Sequence, residues 1–263
     1  MKLISLNTWG GKLLNPLLDF IKEKSSDTDI FCFQEIFSGG EGDKKIKDIE
    51  SNLLSKISKI LPDYAFHYQP GATPYRHGAE IVKEVIKDKP LVGNATFIKK
   101  DIKILNWEGF LTYPEEMKKE FPLDLEGAGI LLDIDVRKDN KEFSIANIHG
   151  LWGGGPKDDS LARLFQSRRA LESLRGKTVP KILIGDFNLR PETESISMIE
   201  KEMRNLIKEG KIETTRNHYY EGMKKYKDYI ADYCFVSKDL EVKDFKVLPN
   251  EISDHQPLYL EFE

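Results

Sequence analysis

Short apolar runs with the patterning of β-strands recur along the chain, and several of them stop abruptly at polar residues. The clearest case is KILIGDFNLRP, residues 181–191, in which an apolar run leads directly into Asp186, Asn188 and Arg190. Asp and Asn are ordinary turn formers at such a point, because their side chains bond the adjacent backbone. A catalytic site at a strand end uses the same residue types, so the remaining sequence has to decide between the two interpretations.

The hydrophobic pattern predicts an α/β chain in which strands outnumber helices. Strands are predicted at 2–8, 28–35, 64–69, 94–110, 129–136, 143–150, 180–187, 230–237, 240–248 and 256–263, with 129–136 and 143–150 forming a hairpin. Helices are predicted at 16–24, 44–61, 160–175 and 193–210. The least patterned stretches, 70–80 and 111–127, are expected to be surface loops. Since no repeat or linker interrupts the pattern, we expect a single domain over residues 1–263.

Composition limits the classes of partner and the location. The chain has 40 Lys and Arg residues against 44 Asp and Glu residues, which argues against coating of duplex nucleic acid by charge alone. Cys32 and Cys234 lie within apolar runs and are predicted to pack as small hydrophobes, without a disulfide or a metal site. No secretory signal or apolar run of roughly 18 residues is found, so we expect a cytoplasmic monomer without a membrane span.

Polar residues that can bind a metal or transfer a proton recur where apolar runs end. They are Asn7 after LISL, Glu35 after IFCFQ, His149 after FSIANI, Asp186 and Asn188 after KILIG, and Asp254 with His255 after LPNEIS, while Asp232 opens the run DYCFVS. Each has an ordinary explanation alone, as a turn former, a cap, a solvated carboxylate or a hydrogen-bonded loop histidine. Because layered folds bring strand ends to a common edge, the recurrence predicts one shared site.

The residue types favour metal-assisted phosphate chemistry. Carboxylate and amide oxygens are hard donors suited to Mg²⁺ or Mn²⁺, whereas the lack of clustered Cys and His argues against structural zinc. Two histidines beside carboxylates and asparagines suggest attack of water on a phosphate ester. Glycoside hydrolysis by paired carboxylates would not need both histidines and Asn188.

The ordered motifs resemble those of one enzyme superfamily. LNTWG, FQE, NIHG, GDFNLRP, DYCFVS and SDHQPL occur in the order of the endonuclease/exonuclease/phosphatase superfamily, and the match spans residues 3 to 260. This superfamily includes DNase I-like nucleases, abasic-site endonucleases, inositol polyphosphate phosphatases, deadenylases and tyrosyl-DNA phosphodiesterases. The resemblance implies a four-layered α/β sandwich, in which two packed, mainly antiparallel β-sheets are flanked by helices and the site lies at one edge.

The resemblance also implies metal ligands. Glu35 is similar to the main metal-ligating carboxylate of the superfamily, and Asn7 is similar to a residue of the metal and phosphate shell. Asp254 resembles the carboxylate that bonds or approaches the metal. The implied cofactor is Mg²⁺ or Mn²⁺.

Further positions resemble the groups that handle water and phosphate. Asp186 resembles the residue that orients or deprotonates the attacking water, and Asn188 the one that holds this water and a phosphate oxygen. His255 resembles the histidine that contacts the phosphate, with Asp232 orienting its ring. His149 stands where some nucleases of the superfamily carry His and the abasic-site branch carries Tyr, and it can bond the phosphate or protonate the leaving oxygen. Which group is the general base stays open.

Three features bear on the substrate. Arg190 follows Asn188 as in the tyrosyl-DNA phosphodiesterase-like branch and can bind a phosphate oxygen, or it is a surface arginine. Trp152, in the glycine-rich stretch after His149, can stack on a substrate ring or pack on the core. Segment 217–233 interleaves Tyr and Lys residues, which suits single-stranded nucleic acid, although tyrosines are also common in strands.

The leading hypothesis is therefore a Mg²⁺- or Mn²⁺-dependent hydrolase of phosphodiester bonds in nucleic acid or a related nucleotide. Single-stranded and damaged nucleic acids are possible substrates under this hypothesis. A phosphomonoesterase, or a hydrolase of inositol phosphates or phospholipids, remains an alternative. A non-catalytic binding module is a further alternative, and the retention of the whole polar set argues against it.

Overall fold

Two six-stranded β-sheets form the centre of the structure. The computed structural model describes residues 1–39, 45–46, 48–71, 76–77, 80–81, 91–112, 129–152, 156–223 and 229–263. Its strands are β1 Lys2–Asn7, β2 Ile30–Ser38, β3 Lys45–Ile46, β4 Ile49–Glu50, β5 Tyr64–Pro70, β6 Arg76–His77, β7 Glu80–Ile81, β8 Leu91–Lys99, β9 Lys103–Leu111, β10 Ile130–Lys138, β11 Lys141–His149, β12 Lys181–Asp186, β13 Arg204–Asn205, β14 Asp232–Val236, β15 Val242–Val247 and β16 Leu258–Phe262. Its helices are Leu14–Lys24, Leu53–Ile60, Leu161–Leu174, Glu194–Glu200 and Leu206–Glu209, with a 3₁₀ turn at Trp9–Gly11.

The sheets pack face to face with helices outside them. The first sheet has the strand order β15-β16-β1-β2-β8-β5, and the second has the order β13-β14-β12-β11-β10-β9. Only the pairs β1–β2 and β11–β12 are parallel among these neighbours. Alternation in β2 explains the layering, since Cys32 joins the core between the sheets while Phe33 packs with the helices Leu14–Lys24 and Leu53–Ile60. The predicted four-layered α/β sandwich is confirmed.

Two helix predictions are wrong in their extent. The helix predicted over 44–61 begins only at Leu53, because Ile49 lies in the short strand β4 and packs with Phe37 and Val92. The helix predicted over 193–210 ends at Glu200, and β13 then pairs with β14. A second helix begins at Leu206 because the Asn205 side chain accepts hydrogen bonds from the N–H groups of Ile207 and Lys208. Tertiary pairing overrides helical periodicity at both places.

Further predictions concern the strand pattern at 94–110, the cysteines and the loops. The 94–110 pattern divides in the structure into β8 and β9, with a turn at residues 100–102 between them. Cys32 and Cys234 are buried free thiols, as predicted, and burial raises the pKa of Cys32 to about 12. The predicted loops at 70–80 and 111–127 lie mostly outside the described residues. In the described part of the chain, no helix has the length and apolarity needed to cross a membrane.

A buried amide joins the two sheets behind the polar edge. The Asn147 Nδ2 group on β11 donates to the carbonyl oxygens of Phe33 at 3.2 Å and Ala95 at 3.3 Å in the first sheet. Its Oδ1 atom accepts a hydrogen bond from Gln34 Nε2 at 2.7 Å. Asn147 is fully buried, so these hydrogen bonds between the sheets form away from solvent.

We expect Asn147→Ala to lower the free energy of unfolding by about 2–4 kcal/mol, because it removes several buried hydrogen bonds that join the two sheets. Urea denaturation followed by circular dichroism measures this loss. Asn106→Ala, on the exposed edge strand β9, is the control and should change stability by less than about 0.5 kcal/mol. Equal losses in the two variants would contradict the structural role of Asn147.

Candidate active site

Adjacent strand ends in the second sheet bring polar side chains into register. His149 ends β11, Asp186 ends β12 and Asp232 opens the antiparallel strand β14. His149 lies opposite Asp186, and Asp186 lies opposite Asp232. Asn7 ends β1 in the first sheet and hydrogen-bonds Asp186 across the gap between the sheets. The expected shared edge is present in the structure.

Three residues are placed at this edge by elements other than those predicted. Glu35 does not end a strand, since β2 continues to Ser38 and Glu35 forms a bulge with φ of 56°. A bulge inserts a residue and re-aims its side chain, which here turns toward Asn7. Asp254 and His255 precede β16 instead of following an apolar strand. Because β16 is antiparallel to β1, its start lies beside the end of β1.

The Asn7 amide links two carboxylates of the site, those of Glu35 and Asp186. Its Nδ2 atom donates to Glu35 Oε1 and to Asp186 Oδ2, both at 3.0 Å. Its Oδ1 atom accepts the N–H of Trp9 at 3.0 Å, which sets the orientation of the amide. His149 Nε2 lies 3.8 Å from Glu35 Oε1 and 3.9 Å from Asp186 Oδ2. Asn7 and His149 therefore contact or approach the same pair of oxygens.

Asp232 fixes the ring of His255. The His255 Nδ1 atom lies 2.9 Å from each carboxylate oxygen of Asp232, and Thr215 Oγ1 donates to that carboxylate at 2.7 Å. The opposite ring nitrogen, Nε2, lies 3.5 Å from Asp186 Oδ2. Burial and Arg216 lower the pKa of His255, but Asp232 and the other nearby carboxylates outweigh them and raise it above its ordinary value.

Asn188 is held in a left-handed backbone conformation next to Asp186. Its φ is 54°, its N–H donates to Asp186 Oδ1 at 2.8 Å, and its Nδ2 donates to the Gly150 carbonyl at 3.1 Å. A side chain at Gly150 would collide with the Phe187 carbonyl at 2.1 Å, so only glycine permits this approach. Trp9 and Glu35, residue types that adopt this conformation less readily than Asn, also have positive φ at this edge.

Two buried cations belong to the site and were not predicted. Lys157 Nζ donates to Asn188 Oδ1 at 2.5 Å, and Arg216 Nη1 donates to Asp254 Oδ2 at 3.2 Å. Burial raises the pKa of Asp186, but His255, Lys157, Arg216 and His149 together lower it well below its ordinary value. Both cations come from polar segments, GPKDDS and TTRN, that look like ordinary surface loops in the sequence.

Two other predicted substrate residues, Arg190 and Trp152, are partly exposed. Arg190 Nη1 pairs with Asp158 Oδ1 at 2.8 Å. Trp152 is partly buried, and the glycines that follow it lie outside the described residues. In segment 217–233, residues 224–228 are likewise outside the described part, while the ring of Tyr220 covers the guanidinium of Arg216 at 4.0 Å.

Solved structures share the fold of this chain. A mannosyl-6-phosphatase from Bacteroides thetaiotaomicron is 20% identical with a TM-score of 0.70, over 100% of this chain and 99% of that chain. The human Nocturnin catalytic domain is 17% identical with a TM-score of 0.68, over 100% and 93%. D. rerio TDP2 humanised by 14 mutations is 15% identical with a TM-score of 0.63, over 100% and 98%. At these identities the likeness concerns the fold alone.

Sequence comparison identifies the family. No curated protein sequence matches the chain. The model of the endonuclease/exonuclease/phosphatase family matches residues 4–255, which include all the residues assembled at the polar edge. This match covers nearly the whole chain, and its members are hydrolases of phosphoester bonds. The chain therefore belongs to the endonuclease/exonuclease/phosphatase family.

Proposed function

We propose that this protein is a divalent-metal-dependent phosphoesterase that hydrolyses phosphodiester bonds in nucleic acid or a nucleotide-like substrate, by in-line attack of water. The surroundings of one carboxylate oxygen carry the proposal. Asp186 Oδ2 lies 3.0 Å from Asn7 Nδ2, 3.5 Å from His255 Nε2 and 3.9 Å from His149 Nε2. An ionised carboxylate among these groups can hold a water beside a phosphate that the histidines contact.

The donor chemistry at Glu35 suits Mg²⁺ or Mn²⁺. Glu35 is partly exposed, and its Oε1 atom shares the Asn7 amide with Asp186, so two hard oxygen donors stand close together. Glu35 would hold the ion, with Asn7 aligning the carboxylates. When bound, the ion would polarise a phosphate oxygen and offset the charge that develops on it.

The other side chains of the site are assigned roles in orienting water and binding the phosphate. Because its pKa is low, Asp186 is a weak base, and we assign it the orientation of the water. Asn188, fixed by Gly150 and Lys157, would hold this water and a phosphate oxygen. His255, aligned by Asp232, would donate from Nε2 to the phosphate, and His149 would bond the phosphate or the leaving oxygen.

The substrate class is tested by comparing bis-p-nitrophenyl phosphate, p-nitrophenyl phosphate, single-stranded and abasic oligonucleotides, and inositol phosphates, each with Mg²⁺, Mn²⁺ or EDTA. We expect metal-dependent cleavage of the diesters. Preferential release of phosphate from the monoesters would favour a phosphatase, the activity named for the Bacteroides relative of this fold. Absence of turnover with every substrate would favour a binding module.

Glu35→Gln should lower metal-dependent kcat/KM by about 10²–10³-fold, because it removes the carboxylate charge assigned to the ion. Steady-state kinetics over a Mn²⁺ titration measure the loss. Glu142→Gln is the matched control, since Glu142 pairs with Arg137 near the opposite end of β11 from His149. Full activity of Glu35→Gln at wild-type metal concentrations would contradict the assignment.

A further inference from the structure

Three carboxylates are buried on one side of the site. Asp186, Asp232 and Asp254 are 1%, 3% and 6% exposed, respectively. Buried carboxylates need a cation or hydrogen-bond donors, because burial removes the water that would otherwise stabilise their charge. A divalent ion could supply that charge, but this chain already places an arginine there.

Arg216 is built into the centre of this carboxylate group. It is 3% exposed, its Nη1 donates to Asp254 Oδ2 at 3.2 Å, and its Nη2 lies 4.0 Å from Asp186 Oδ2. The Nη1 atom also lies next to His255 Nε2. Its position is enforced by the backbone, since Arg216 and His255 form a β-bridge, and by the Tyr220 ring over the guanidinium.

One N–H group of the Arg216 guanidinium is unused. Arg216 Nε is buried and has no hydrogen-bond partner among the described residues. An unpaired buried N–H is costly, so a ligand oxygen that reached it would gain a hydrogen bond. Arginine suits this position because it stays charged when buried and presents several N–H groups in one plane.

We propose, building on the metal-dependent function above, that the Arg216 guanidinium is the permanent positive charge beside Asp254. The protein then binds a single divalent ion, at Glu35. Asp254 is then a partner of Arg216 and does not ligate the ion, contrary to the role implied by the family resemblance. A second ion at Asp254 would have to stand beside the guanidinium, where like charges repel. The guanidinium would instead bind the phosphate directly.

The test is the stoichiometry of Mn²⁺ binding, measured on the full chain without substrate by electron paramagnetic resonance of free Mn²⁺. We expect a single ion on the wild type and none on Glu35→Gln over the same concentration range. Asp254→Asn should keep the wild-type stoichiometry and dissociation constant. Arg216→Ala should gain a second ion, whereas Arg216→Lys, which keeps the charge, should not.

The outcomes separate this inference from the proposed function. Two ions on the wild type, with metal-dependent hydrolysis intact, would overturn the role of Arg216 alone. A dissociation constant raised about tenfold or more in Asp254→Asn would also overturn it, since that loss indicates a carboxylate bound to the ion or supporting it. The measurement on Asp254→Asn remains decisive if Arg216→Ala does not fold. A wild type that binds no Mn²⁺ would overturn both proposals.

Discussion

Replacing Asp186 with asparagine is expected to lower kcat for phosphoester hydrolysis by about 10³-fold, with a smaller effect on KM. Asparagine has nearly the same shape but cannot carry the negative charge that His255, Lys157 and Arg216 surround. A water held by the neutral amide would be less well aligned and less polarised toward the phosphorus. Kinetics with a diester substrate, with circular dichroism to verify folding, measure the effect.

Asp133→Asn is the matched control for this prediction. Asp133 is also a buried carboxylate of the second sheet, and it pairs with Lys177 at 2.6 Å and with Ser144 Oγ at 2.9 Å. Its position on β10, away from the polar edge, predicts activity within about threefold of wild type, even where stability falls. Similar losses of kcat in both variants would show that Asp186 acts through stability and not through chemistry.

Asp186 also shows how much of the fold follows from the sequence. Local patterning was sufficient for β12, because an apolar run ends at Asp186, and for the β10–β11 hairpin. Asp139 and Asn140 turn that hairpin with φ of 50° and 63°, a conformation that these residue types tolerate well. The helix prediction was wrong at Ile49 because the residues that it packs against, Phe37 and Val92, are distant in sequence.

The site divides along the same line. His149 and Asp186 end their strands, and the apolar run before each of them is visible in the sequence. Arg216 was missed because its place in the site depends on contact with Asp254. The two residues are 38 positions apart, and only tertiary packing brings them together. Lys157 was missed for the same reason, since Asn188 lies 31 residues farther along the chain. Nothing in TTRN or GPKDDS distinguishes a buried cation from a solvated one.

His255→Ala is expected to lower kcat by about 10²–10³-fold, because it removes the only imidazole aligned by Asp232 among the described residues. His67→Ala is the control, since His67 packs against Trp107 on strands away from this edge. Its activity should stay within about twofold of wild type. Full activity in a purified His255→Ala protein would overturn the mechanism.

Asp232→Asn separates the charge of His255 from its presence. With Nδ1 bonded to Asp232, a proton on Nε2 requires the imidazolium form, which is populated below the pKa of His255 and lost as pH rises through it. Asp232 is among the groups that raise this pKa, so its neutralisation lowers the pKa. We therefore expect the alkaline loss of kcat to begin at lower pH in Asp232→Asn than in the wild type, with activity at acidic pH less affected. An alkaline limb that stays in place or moves to higher pH would show that Nε2 does not act as the proton donor to the phosphate.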